Sequence, residues 1–86
     1  MIYALYDEHG DRVGGCEIHA VEDVQIAYEL VKRTNAMVAP TTRRPGVDRG
    51  VRPVVGQDHQ RYEIIYSEHG RVLAQFYAIP QVIGHA

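Results

Sequence analysis

The chain has one cysteine, Cys16, and no tryptophan. A single thiol forms no intrachain disulfide, and without a cysteine cluster there is no structural zinc or iron-sulfur centre. Packing alone must hold the fold, and a reducing, cytoplasmic compartment is the expectation. No apolar run approaches the ~20 residues that a spanning helix needs. The start, MIYALYDEHG, has a short apolar run and then acidic residues instead of a basic leader, so neither export nor membrane anchoring is expected.

Chemical motifs are scarce as well. Ser67 is the only serine and lies beside a turn without a nucleophile elbow. RPGVDRG, residues 44–50, lacks the lysine-serine or lysine-threonine ending of a phosphate loop and does not join a strand to a helix. Cys16 falls at an inward strand position, where a thiol is usually inert core. No catalytic residue, metal or cofactor is therefore expected.

What is present is a chain of 86 residues, 45% hydrophobic and 23% charged. That suits one small α+β domain over residues 1–86, without room for a cleft between domains. YDEHG at Tyr6–Gly10 and YSEHG at Tyr66–Gly70 are near copies. Each puts a carboxylate and a histidine before a glycine, as a metal or proton-transfer site would. Adjacent strand or turn residues point apart, however, so each copy offers one ligand at best. A three-residue hairpin loop ending in a left-handed glycine accounts for both copies more simply.

The first hairpin is expected from Ile2–Asp7 and Val13–Ala20, with Gly14-Gly15 marking a bulge or close approach. The second runs through Arg61–Ser67 and Arg71–Ile79. Between them, residues 21–34 have Val24, Ala27, Tyr28 and Val31 at the spacing of one helical face, with Ile26 and Leu30 as a second apolar side needing its own cover. Glu22 and Asp23 open this helix, Lys32 and Arg33 close it, and Glu29 with Arg33 forms a weak pair. Asn35 is the expected left-handed cap.

Residues 36–60 carry three of the four prolines and Gly46, Gly50 and Gly56, which predicts a long loop over about 38–60 and no central strand. Met37, Val38, Val51, Val54 and Val55 would tie it over Ile26 and Leu30. The resulting layout is β-β-α-loop-β-β: one antiparallel four-stranded sheet with a helix packed on one face. Strand alternation assigns Ile2, Ala4, Tyr6, Cys16, Ile18, Ala20, Tyr62, Ile64, Tyr66, Val72, Ala74, Phe76 and Ala78 to the helix side. Tyr3, Leu5, Ile65, Leu73, Tyr77 and Ile79 fall on the other side, as a dimer or partner face.

The net charge of −2 conceals a segregation. From Lys32 to Arg61 there are seven basic residues, Lys32, Arg33, Arg43, Arg44, Arg49, Arg52 and Arg61, against Asp48 and Asp58. Arginine forks on a proline-rich scaffold suit phosphate or carboxylate at a reduced entropic cost. The expectation is a non-enzymatic binding module that docks Lys32, Arg33, Arg43, Arg44, Arg49 and Arg52 on a larger protein or ribonucleoprotein with an acidic surface. Inhibitors and accessory proteins of phages or mobile elements are one class with this size and layout, by analogy alone. Two alternatives stand beside it: a nucleic-acid-binding regulator using the basic loop, and a small dimeric metal-dependent or acid-base enzyme. Against nucleic acid, the chain is net acidic and the loop lacks interleaved aromatics.

Overall fold

The computed structural model describes residues 1–54 and 61–81. Val55, Gly56 and Asp58, each given a part in the expectations above, lie outside the described residues. The elements are β1 (Ile2–Asp7), β2 (Arg12–Glu17), α1 (Asp23–Asn35), a 3-10 turn (Pro40–Arg43), β3 (Asp48–Pro53), β4 (Tyr62–Glu68) and β5 (Arg71–Pro80). They form one antiparallel sheet in the order β2-β1-β5-β4-β3, with α1 against one face. Among the described residues no helix is long and apolar enough to cross a membrane.

The class is α+β as expected, but the sheet has five strands, not four. The extra strand, β3, lies within the stretch read as loop and pairs with β4 from Asp48 opposite Ser67 to Pro53 opposite Tyr62. Gly50 and Pro53 lower its strand propensity. An edge strand tolerates both, since proline's missing donor faces no neighbour there. Its charged side chains also blunt an otherwise open edge.

Two facing assignments invert. Antiparallel partners share a sheet face. Leu5 stands opposite Ala78, Ala78 opposite Tyr62, and Tyr3 opposite Cys16. Tyr3 and Leu5 are therefore core residues under the helix, 2% and 0% exposed, and Ile2, Ala4 and Tyr6 take the open face. Ile2-Tyr3-Ala4-Leu5-Tyr6 is apolar or aromatic at every position, so alternation alone cannot orient it.

The helix is turned likewise. Ile26, Leu30 and Thr34 are buried, whereas Val24 and Tyr28 are 80% and 68% exposed. Ile26 and Leu30 thus face the sheet directly. Burying a leucine such as Leu30 contributes about 2 kcal/mol.

The core joins Tyr3, Leu5, Cys16, Ile18, Ile26, Leu30, Tyr62, Ile64, Tyr66, Phe76 and Ala78, with Val47 from the segment before β3. Tyr3 meets Tyr62, and Tyr66 meets Phe76, edge to face at 6.1 and 6.3 Å. Val38 and Val51 pack against this core, as expected for residues tying the connection down. Met37 instead reaches β2: a Cβ on Gly14 would lie 2.6 Å from its terminal methyl. That is the close approach anticipated for the Gly14-Gly15 pair.

Candidate binding surface

The two Glu-His-Gly copies close their hairpins differently. In the first, Asp7 Oδ1 accepts the amides of His9 and Asp11 at 2.9 and 3.0 Å, Gly10 N donates to Asp7 O, and Gly10 has φ +84°. This is the three-residue loop expected. In the second, Glu68 pairs directly with Arg71, and His69 and Gly70 alone turn the chain at φ 53° and 76°. Two consecutive positive φ values are the signature of a type I′ turn. The cause is one residue: Asp11 separates Gly10 from Arg12, whereas Gly70 runs straight into Arg71.

The histidines do not converge. β1 ends with Asp7 opposite Phe76, so Arg71–Gln75 extend beyond that pairing before the second turn is reached. Five extended residues span about 16 Å. His9 has Glu8 at 3.5 Å, and His19 has Glu17 at 3.4 Å. Among the described residues no group of three or more His, Cys, Asp or Glu is placed to hold a metal ion. A shallow groove of about 450 Å³ separates His19 and Glu17 from Gln25 and Glu29 of the helix.

The basic residues separate into several places. At the C-terminal end of α1, the 3-10 turn delivers Arg43 and Arg44, and β3 delivers Arg49 opposite Tyr66 on the helix side. Arg44 donates to the Thr41 carbonyl and forms an ion pair with Glu68. Arg49 Nη1 donates to Asn35 Oδ1 at 3.3 Å, which also accepts the Tyr66 hydroxyl at 2.8 Å. Tyr66 Oη lies 2.8 Å from the buried Thr34 Oγ1, itself 3.1 Å from the Leu30 carbonyl. Each hydroxyl has one proton. With Tyr66 donating to Asn35, Thr34 donates either to Tyr66 or to the helix carbonyls.

Burial pushes the Tyr66 hydroxyl above the ordinary tyrosine value, against the opposing pull of Thr34, Arg49 and Arg43. Asn35 is not the left-handed cap expected: it belongs to the helix, Ala36 caps in a right-handed conformation, and the Asn35 side-chain oxygen Oδ1 joins β3 and β4 to α1.

The other basic residues lie elsewhere. Arg52 is on the opposite sheet face and pairs with Glu63 at 2.7 Å. Lys32 and Arg33 are exposed in the last helical turn. Burial raises the Cys16 thiol, with Arg33 lowering it and Glu29 raising it, so that turn's charge reaches toward β2. No ion pair joins Glu29 to Arg33 among the described residues, contrary to expectation. Nor does any described carboxylate pair with Arg43, Arg49, Lys32 or Arg33.

Of the residues expected on the partner face, Tyr3 and Leu5 are inside. Ile65, Tyr77 and Ile79 are half-buried on the open face, and Leu73 is exposed at the bulge beside Tyr66-Ser67. Sequence reading missed Asn35 and Tyr66 as parts of the basic site. Their only signal was polarity just after, or within, an otherwise apolar periodic run. No protein-family model, no curated protein and no solved structure matches this chain significantly.

Proposed function

We propose that the chain is a small, non-enzymatic binding module that docks on an acidic surface of a larger macromolecule, with Arg43 and Arg49 at the helix end as its principal contacts. The observation that carries this reading is Arg49, held at the helix end by the neutral Asn35 oxygen and not by a carboxylate, with the exposed Arg43 supplied by the 3-10 turn that follows the helix. An arginine held by a neutral acceptor keeps its full charge for a partner, and a pre-set fork loses less entropy on docking. Arg44 and Arg52 are weaker candidates, because Glu68 and Glu63 already neutralise them. Lys32 and Arg33 extend the positive field along the last turn of α1. A protein surface suits the site better than single-stranded nucleic acid, for the tyrosine beside these arginines, Tyr66, is buried and offers no ring to a base.

The test is capture of a partner from the native host, with nuclease treatment in parallel, by the wild-type chain and by the double variant Arg43→Glu/Arg49→Glu. The expected outcome is a nuclease-resistant protein held by the wild type and lost by the double variant, whose melting temperature is nearly unchanged. Undiminished capture by a folded double variant contradicts this contact. Capture abolished by nuclease, with binding that falls steeply as salt rises, favours the nucleic-acid reading instead.

A further inference from the structure

The open face of the sheet has a definite composition. One row crosses all five strands: Arg12 opposite Tyr6, Tyr6 opposite Tyr77, Tyr77 opposite Glu63, and Glu63 opposite Arg52. Ile79 and Ile65 flank it, reached from Ala4 and from Gln75 respectively. The centre of the face is thus aromatic and aliphatic, and its charges lie toward the two edge strands. Tyrosine and isoleucine within an arginine-bearing polar rim is the anatomy of a protein-protein interface.

We propose that this face is the interface of a two-fold homodimer, two sheets stacked with the helices outward. Its size fits. Five strands spaced ~4.8 Å apart, each offering about six residues at ~3.3 Å, cover roughly 500 Å² of plane before side-chain relief is added. Stable interfaces take about 800 Å² of accessible surface per partner. Its charge fits too: Arg12, Arg52 and Arg61, the last beside Tyr77 and Ile79, are balanced by Glu63, Glu17 and Asp48 on the same face, so two copies meet without strong repulsion. That near balance also disfavours a polyanion on these tyrosines. Val21, Val24 and Tyr28, the most exposed apolar side chains, at the start and on the outer side of α1, form a stripe of only three side chains and fall well short of such an area.

Stacked sheets put both helix ends outside, so the dimer presents two basic sites. This consequence, unlike the dimer itself, rests on the proposed function. Bivalent display raises avidity without any new contact.

Sedimentation velocity on the full chain between about 1 and 200 µM tests the interface, a range that spans ordinary homodimer affinities. The expected mass is twice 9.7 kDa at the upper end. Tyr77→Arg and Ile65→Lys should each return the monomer with the far-ultraviolet spectrum retained, whereas Arg43→Glu/Arg49→Glu should leave the mass unchanged. A second readout needs no variant: tetranitromethane should nitrate Tyr6 and Tyr77 faster in the dilute wild-type sample than in the concentrated one. A monomer throughout, dimers that survive both substitutions, or nitration independent of concentration would each overturn the proposal. A monomer that binds single-stranded RNA through Tyr77 would overturn it as well.

Discussion

Tyr66 links the core to the basic end of the helix. Its ring packs on Phe76 in the core, and its hydroxyl joins Thr34, Asn35 and, through Asn35, the exposed Arg49. Removing one hydrogen-bonding group from such a network costs about 1 kcal/mol when the partner left behind retains another acceptor or water. Tyr66→Phe and Thr34→Val should therefore each destabilise by about that amount in urea unfolding. The double variant should cost less than their sum, because the two hydroxyls share a bond. Strict additivity would mean that the hydroxyls act independently. Asn35→Ala should cost a similar amount of stability and, in addition, weaken partner binding by releasing Arg49. At this scale the sequence was least informative. Burial of Thr34 depends on how the helix is turned, and two apolar stripes, Val24-Tyr28 and Ile26-Leu30, offered that choice without deciding it.

Among the elements, the paired hairpins show how one residue changes a turn. Asp7 caps the first loop through two backbone amides, and Ser67 stands at the corresponding position in the second without any such bond to the turn. Asp7→Ala should lower the melting temperature by an amount equivalent to about 1 kcal/mol, as loss of a capping side chain does, while Ser67→Ala should be near neutral. Gly70→Ala should cost about 1 kcal/mol, because Gly70 is at φ 76° and alanine resists that conformation. His69→Asn should be neutral or stabilising, for asparagine accepts positive φ more readily than most residues. Thermal melts of these four variants check the pattern, and equal losses from Asp7→Ala and Ser67→Ala would refute the distinction. The hairpins, the helix and the α+β class were legible because turn glycines and charge placement are local signals. The edge strand β3 was not, since its propensities argue for loop and its pairing with β4 is a long-range contact.

For the whole molecule, burial of Tyr3, Tyr62 and Tyr66 sets an alkaline limit. Burial raises all three hydroxyls, and at Tyr62 the hydrogen bond to Asp23, 2.7 Å, acts in the same direction. The folded chain therefore holds phenolic protons that the unfolded chain releases above about pH 10. The stabilisation is complete below that pH and is lost as pH rises toward the folded values, so the melting temperature should fall steeply there. Tyrosinate absorbance from these residues should grow with unfolding and not before it. The charge pattern also belongs to this scale. The segregation is visible in the sequence, but the fold divides the basic run between the helix end and the opposite sheet face, and leaves Arg43 and Arg49 as the pair most available to a partner.

One affinity comparison decides whether Arg43 and Arg49 make the contact. With the captured partner in hand, its dissociation constant is measured by calorimetry for the wild-type chain, for Arg43→Glu/Arg49→Glu and for Arg52→Glu. Binding should be weaker by about tenfold or more for the double variant, as loss of central charged contacts typically produces, and little changed for Arg52→Glu. Equal affinity of the wild type and the folded double variant would contradict this contact.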